Sequence, residues 1–314
     1  MAVLVIGGTG FIGYRLVRLL VARGETVTCM DTNPDAHSFA DLGTKVCCLR
    51  GDVAQFDDVL SAMTTAEADR VVNLAYLIGS HHAPHLAMRI NVLGIDNCFE
   101  AARRLGVKHT VYAGSFAPNG KQSNYGDRPV TEDDPVYGDY QYARHKIMNE
   151  WQALDYIEKF GMCITGIRAA YVTGPDKVRG TVDHVKCITE PARGRPVTLP
   201  FEDVMVCAIH VDDMAEVLAR VTMADKPARR VYNSGGTPIS LGEIAAIVRS
   251  DLPDAEISFQ NRQGARASNA TYRLDNSRLL SEFALELPPF RQRVLQIIND
   301  TRRENGLPAV AAPH

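Results

Sequence analysis

An apolar run that breaks into three spaced glycines constrains this chain more than any other feature. Ala2-Val3-Leu4-Val5-Ile6 leads straight into Gly7-Gly8-Thr9-Gly10-Phe11-Ile12-Gly13. Five aliphatic residues bounded by glycine read as a buried strand, and Ile12, Leu16, Leu19 and Leu20 then recur at helical spacing. Gly7 permits a tight turn between the two elements. Gly10 lets an anion approach the backbone, and Gly13 lets the helix pack close to the strand. A pyrophosphate suits such a turn, because the first N–H groups of a helix are unpaired and carry the positive end of its dipole.

A second apolar run, Thr26–Met30, ends at Asp31, close to the offset of ~20 residues expected for the acidic partner of this turn. A carboxylate there accepts hydrogen bonds from both hydroxyls of an adenine ribose and repels a 2′-phosphate. Neither Thr32 nor Asn33 offers the arginine that NADP would favour. The expected dinucleotide is NAD, although Asp31 could instead simply cap the turn before Pro34.

The same rhythm continues. Lys45–Leu49, Arg70–Ala75, Lys108–Ala113 and Cys163–Arg168 read as further strands, with Phe11–Arg23, Ala87–Leu105 and Tyr140–Phe160 as helices. Parallel strands need crossover helices, so the fold class is α/β, a doubly wound parallel (Rossmann) sheet. Beyond Tyr171, prolines at 175, 191, 196 and 200 punctuate the chain. Residues 1–170 are expected to form the NAD-binding domain with its catalytic residues. Residues 171–307 would form a smaller C-terminal substrate lobe of short elements that returns segments to the main sheet, and 308–314 a frayed tail.

A net charge of −3 gives no general attraction to nucleic acid or anionic lipid. The first apolar run is too short for a membrane span or a leader. Seven cysteines, without CxxC spacing, sit mostly in apolar stretches and fit a reducing cytoplasm. The expectation is a cytoplasmic protein with a small-molecule substrate, without nucleic-acid or membrane partners.

Tyr142-Ala143-Arg144-His145-Lys146 places a phenol and an ammonium on one face of a helix. A nearby lysine favours the phenolate, so the tyrosine could exchange a proton nearer neutral pH. The pair follows a strand that ends in Ser115, whose hydroxyl could share a substrate oxygen. His145 lies off that face and is expected to be structural.

These features together resemble the extended short-chain dehydrogenase/reductase family, in its NAD-dependent epimerase/dehydratase group. The likeness runs to about residue 290. It includes Gly51-Asp52, Asn73-Leu74-Ala75, Asn91-Val92-x-Gly94, Glu150, Arg168 with Gly174-Pro175, His210-Val211-Asp212-Asp213 and Tyr232-Asn233-x-Gly235. The resemblance implies Tyr142 as general acid/base and Lys146 on the nicotinamide ribose, lowering the tyrosine pKa. Ser115 would hold the reacting oxygen. Cofactor contacts would come from Gly7, Thr9, Gly10, Phe11, Ile12, Gly13, Asp31, Asp52, Val53, Leu74, Ala75, Asn91, Tyr142 and Lys146. The long helices holding Asn91 and Tyr142 resemble those of a homodimer interface.

The chain also departs from these relatives. Tyr171 and Val206 stand where nucleotide-sugar members carry an asparagine and an arginine for the diphosphate. A diphosphate needs such donors to offset its desolvation. Arg262 and Arg266 remain as other anion ligands. Phe116-Ala117 replaces the acidic pair of the dehydratases, which speaks against elimination of water. His81-His82-Ala83-Pro84-His85 has no acidic or cysteine ligand beside it, so no metal is expected there. Candidate substrate residues are Tyr76, His81, Phe116, Asn119, Tyr171, Arg262 and Arg266. The leading expectation is a dehydrogenase moving hydride between NAD and a secondary alcohol or ketone of a small sugar-like or hydroxy-acid substrate. The alternatives are a sugar or nucleotide-sugar epimerase with tightly bound NAD, and a non-catalytic NAD sensor.

Overall fold

The computed structural model describes residues 1–34, 36–79, 82–261 and 270–311. The first half alternates as its apolar periodicity predicts: β1 (Ala2–Ile6), α1 (Phe11–Ala22), β2 (Thr26–Asp31), β3 (Val46–Arg50), α2 (Phe56–Thr65) and β4 (Arg70–Asn73). A short helix α3 (Pro84–Met88) runs through a widened turn, Arg89–Leu93, into α4 (Gly94–Leu105); β5 (His109–Ser115), α5 (Gln141–Phe160) and β6 (Ile164–Ala169) follow. The second half supplies β7 (Tyr171–Thr173), α6 (Asp183–Ala192), β8 (Val197–Leu199), β9 (Met205–His210), α7 (Val211–Met223), β10 (Val231–Asn233), β11 (Thr237–Ser240), α8 (Leu241–Asp251), β12 (Ile257–Phe259), α9 (Ser277–Phe283) and α10 (Phe290–Glu304).

Seven strands form one parallel sheet in the order β10-β6-β5-β4-β1-β2-β3. Alternate residues of β1 serve opposite faces, as a strand requires. Val3 and Val5 pack with Leu16, Val17 and, from α7, Val217 and Leu218. Leu4 and Ile6 pack with Val59 and Met63 of α2 and Cys98 of α4. Helices therefore cover both faces. The chain winds outward from β1 to β3, then crosses to β4, so the strand order reverses between β1 and β4. Open α/β sheets bind ligands at the carboxyl ends of strands flanking that reversal.

A second core joins Ile188, Leu199, Val206, Ile244, Val294 and Ile297. It underlies a three-stranded sheet, β11-β9-β7, and the pair β12-β8. Segments after Tyr171 thus serve both cores: α7 covers the main sheet and β10 extends it.

Several boundaries differ from the sequence expectations. The helix expected over Ala87–Leu105 is interrupted at Arg89–Leu93, where the backbone widens to π-helical bonding, a feature periodicity averages away. The strand expected over Arg70–Ala75 stops at Asn73, because the Asn73 side chain takes the Ala75 N–H at 3.0 Å. Elements beyond Tyr171 are not uniformly short: α7 has 13 residues and α10 has 15. The expected frayed tail is tied at Val310, which exchanges two hydrogen bonds of 2.7 and 3.0 Å with the Asn299 side chain.

Candidate active site

The glycine turn lies at the reversal point. Gly7 has φ +78°, and a Cβ there would come within 2.9 Å of the Ala75 nitrogen. A Cβ on Gly13 would lie 2.2 Å from the Gly7 carbonyl oxygen. Neither position admits a side chain. Gly10 is different: a Cβ would meet only the Gly7 oxygen, at 3.2 Å, leaving the space over the helix start open. No side chain caps α1 and no acid occupies its first turn, which suits an anion at that end. At the exit of β2, Asp31 accepts the Thr9 hydroxyl on one oxygen at 2.7 Å and the Thr32 N–H on the other at 2.8 Å. Each oxygen keeps a further lone pair for a ribose hydroxyl. A diphosphate cradle beside a held carboxylate fits NAD.

The other expected cofactor residues border the same crevice or support it. Asp52 is held by its own turn, accepting the Ala54 N–H at 2.9 Å. Val53 is buried, and its carbonyl accepts from Asn97 at 3.0 Å. The Leu74 N–H donates to Ile6 of β1 at 2.9 Å, which places Leu74 and Ala75 against Gly7. Phe11 and Ile12 pack partly on the main core. The Asn91 amide engages both backbone groups of Leu77, at 2.8 and 3.0 Å. Its side chain therefore fixes the loop after β4.

The end of β5 and the first two turns of α5 bring together the three residues of the expected catalytic set. The buried Ser115 hydroxyl meets the Tyr142 phenol and draws its pKa down, while burial pushes it up more strongly, to about 12. Lys146 is 2% exposed; its ammonium donates to the Ala113 carbonyl at 2.5 Å and sits 3.2 Å from the centre of the Tyr76 ring. Its distance to the Tyr142 ring centre is 5.6 Å. Burial holds the Lys146 pKa well below the usual lysine value, and Glu150 one turn on opposes that shift. The lysine thus reaches Tyr142 less directly than its spacing suggests. His145 is buried, with its Nδ1 unbonded, inside the same helix.

Two clamps aim this helix, and sequence reading did not anticipate their geometry. Arg168 of β6 grips Glu150 with two bonds of 2.8 Å each. Asn149 donates to the Asn91 carbonyl at 2.8 Å and accepts the Tyr76 hydroxyl at 3.2 Å. The only sequence clue to Asn149 was its place one turn after Lys146.

Of the expected substrate residues, Tyr76 lies against Tyr142 edge to face, with ring centres 5.4 Å apart. The Phe116 and Tyr171 rings pack at a tilt of 52° with centres 4.8 Å apart, and Tyr171 meets His184 at 5.6 Å. Asn119 is fully buried with both ends of its amide unbonded. His81, Arg262 and Arg266 lie outside the described residues. Val206, where relatives place a phosphate-binding arginine, is buried in the core of the lobe. Among the described residues, no three His, Cys, Asp or Glu side chains gather as a metal site, and no helix is long and apolar enough to cross a membrane.

A doubly wound sheet with a glycine cradle at its reversal point and a serine, tyrosine and lysine beside it defines a dinucleotide-binding α/β protein. The chain belongs to the NAD-dependent epimerase/dehydratase family, whose model matches residues 3–235. CapI of Staphylococcus aureus is 25% identical over 56% of this chain and 55% of its own length. The first relatives are matched over about half of their length. The 2-alkyl-3-oxoalkanoate reductase of Stenotrophomonas maltophilia is 28% identical over 83% of this chain and 79% of its own. In fold, the chain is similar to the UDP-glucose 4-epimerase of Thermus thermophilus, solved with NAD. The TM-score is 0.83 at 24% identity, covering 96% of this chain and 99% of that one.

Proposed function

We propose that this protein is an NAD-dependent oxidoreductase acting on a secondary alcohol, or its ketone, in a small hydroxylated substrate. The meeting of Ser115 and Tyr142 beside the glycine cradle carries this reading. NAD, when bound, supplies the hydride acceptor. Ser115 would hold the substrate oxygen and Tyr142 would accept the hydroxyl proton as the C–H hydride departs. Lys146, fixed by Ala113 and Tyr76, would steady the nicotinamide ribose and the developing phenolate. Burial of Val206 and the packing of Tyr171 against Phe116 support a small substrate over a nucleotide sugar, since neither residue supplies a charged donor for a diphosphate. The 2-alkyl-3-oxoalkanoate reductase, named for an oxo acid and not for a nucleotide sugar, points the same way.

The epimerase reading is supported by the Thermus epimerase, which shares the fold. An epimerase runs the same half-reaction twice and would retain NAD through purification. The deciding experiment offers hydroxy acids, polyols, free sugars and UDP-sugars to the purified protein and follows NADH formation. Net NADH from a small alcohol supports the dehydrogenase. Isomerisation of a UDP-sugar without added cofactor would overturn it. A homodimer is proposed through α4 and α5, where Trp151 is 63% exposed and Met148 49%. A monomer by light scattering would refute that.

A further inference from the structure

Lys177, in the loop between β7 and α6, and His184, in the first turn of α6, are basic groups that the proposed proton transfer does not use. The Lys177 ammonium donates to the Val172 carbonyl at 2.7 Å, and among the described residues no carboxylate pairs with it. The adjacent Asp176 turns away to Arg15, at 2.5 Å. Burial holds the Lys177 pKa at about 8. Beside it, His184 is fully buried and neither ring nitrogen has a well-formed hydrogen bond, although one faces the same Val172 carbonyl. Burial and the Lys177 charge hold the imidazole neutral, with its pKa at about 3.

This cluster is joined to the catalytic serine by contiguous rings. Ser115 is followed by Phe116, whose ring packs at a tilt against Tyr171 at 4.8 Å, and Tyr171 meets His184 at 5.6 Å. The loop also borders the cofactor side: a Cβ on Gly174 would touch the Phe11 ring at 3.0 Å, and one on Gly180 would touch Ile78 at 3.1 Å. An ammonium without a counter-charge among the described residues, in low dielectric, favours an anionic ligand that supplies both charge and acceptors.

We propose that Lys177 binds the carboxylate of the substrate, with Tyr171 and Phe116 between it and Ser115, which makes the substrate a hydroxy acid. This rests on the dehydrogenase reading above and names its substrate class. The carboxylate accepts from the ammonium, while the hydroxyl lies at Ser115 and Tyr142. The Phe116 and Tyr171 rings flank the carbons between these ends.

The experiment pairs hydroxy acids of three to eight carbons with their primary amides, which keep the shape and lose the charge. Calorimetry on the NAD-loaded protein measures binding, and NADH formation measures turnover. At least one acid should bind about 10- to 100-fold more tightly than its own amide, as a charge-assisted bond allows. Lys177→Met should bring the acid down to the level of the amide, and Lys177→Arg should keep part of the preference. Thermal melting of both variants serves as the folding control. Equal affinity for every acid–amide pair, no acid binding, or an acid preference that survives Lys177→Met would overturn the proposal. Lys177-dependent acid binding without NADH formation would leave the carboxylate site standing and sink the dehydrogenase reading. NADH from neutral polyols alone, unaffected by acids, would do the reverse.

Discussion

The Lys146 ammonium lies 3.2 Å from the centre of the Tyr76 ring, although the two residues are 70 positions apart in the chain. The ring face replaces part of the water that burial removes from the charge. Tyr76 is thereby a positioning residue for the lysine. Tyr76→Leu should weaken NAD binding by roughly 5- to 30-fold, the range of about 1–2 kcal/mol for a desolvated cation–π contact. Tyr76→Phe loses only the 3.2 Å bond to Asn149 and should stay near wild type. Fluorescence titration with NAD measures both. Equal effects of the two changes would refute the role of the ring.

Tyr142→Phe removes the ionisable oxygen and keeps the ring. Turnover should fall by about 10²- to 10⁴-fold, the usual contribution of general acid–base catalysis, while NAD affinity holds. Ser115→Ala should cost less but shift the pH profile. Burial lifts the phenol to about 12 even though Ser115 draws it down. Removing the serine raises that pKa, so the rising limb of the oxidation rate should move to higher pH. Steady-state rates from pH ~6 to ~10 would show this, and an unmoved limb would contradict it.

Asp31 should give selectivity for NAD over NADP. Its carboxylate is fixed by Thr9 and Thr32 at the exit of β2, where it would oppose a 2′-phosphate. Asp31→Ala should narrow the affinity gap by roughly tenfold through loss of that repulsion. Parallel titrations of both cofactors check it. Tighter binding of NADP by the wild type would reject the assignment.

Acid should destabilise the fold through buried neutral histidines. Burial depresses His109 to about 4 and His184 to about 3. The unfolded chain takes up protons at its histidines below pH ~6.5, while the folded chain refuses them until those lower values. Their stabilisation is therefore complete above pH ~6.5 and shrinks as pH falls, by about 1.4 kcal/mol per pH unit for each. Urea midpoints at pH ~7.5, ~6 and ~5 should decline accordingly. Buried His210, depressed to about 4, adds to the decline, so His109→Gln should flatten it by about a third. A midpoint constant across that range would show that the imidazoles titrate normally.

What the sequence carried by itself was local chemistry. The aliphatic run, the spaced glycines and the ~20-residue offset to Asp31 lie within one βαβ unit, so spacing alone predicted where the cradle and its carboxylate would stand. Tyr142 and Lys146 share a helix face because four residues make about one turn. Alternating apolar runs predicted a parallel sheet, since each strand buried on both faces must be uniformly apolar.

Tertiary structure decided what crosses those units. Helical spacing could place Lys146 near Tyr142, but the loop after β4 brings Tyr76 under the ammonium and so sets its distance from the phenol. Arg168 and Glu150 were separate motif residues until the packing of β6 on α5 joined them. Tyr171 and Val206 signalled only missing donors in the sequence; tertiary packing set one against the Phe116 ring and buried the other in the core of the lobe. Lys177 and His184 had no motif at all. Their character comes from burial and from the absence of a described counter-charge, properties of neighbours far along the chain. Side-chain spacing encodes short-range geometry, whereas desolvation and pairing depend on which distant surfaces close over a group.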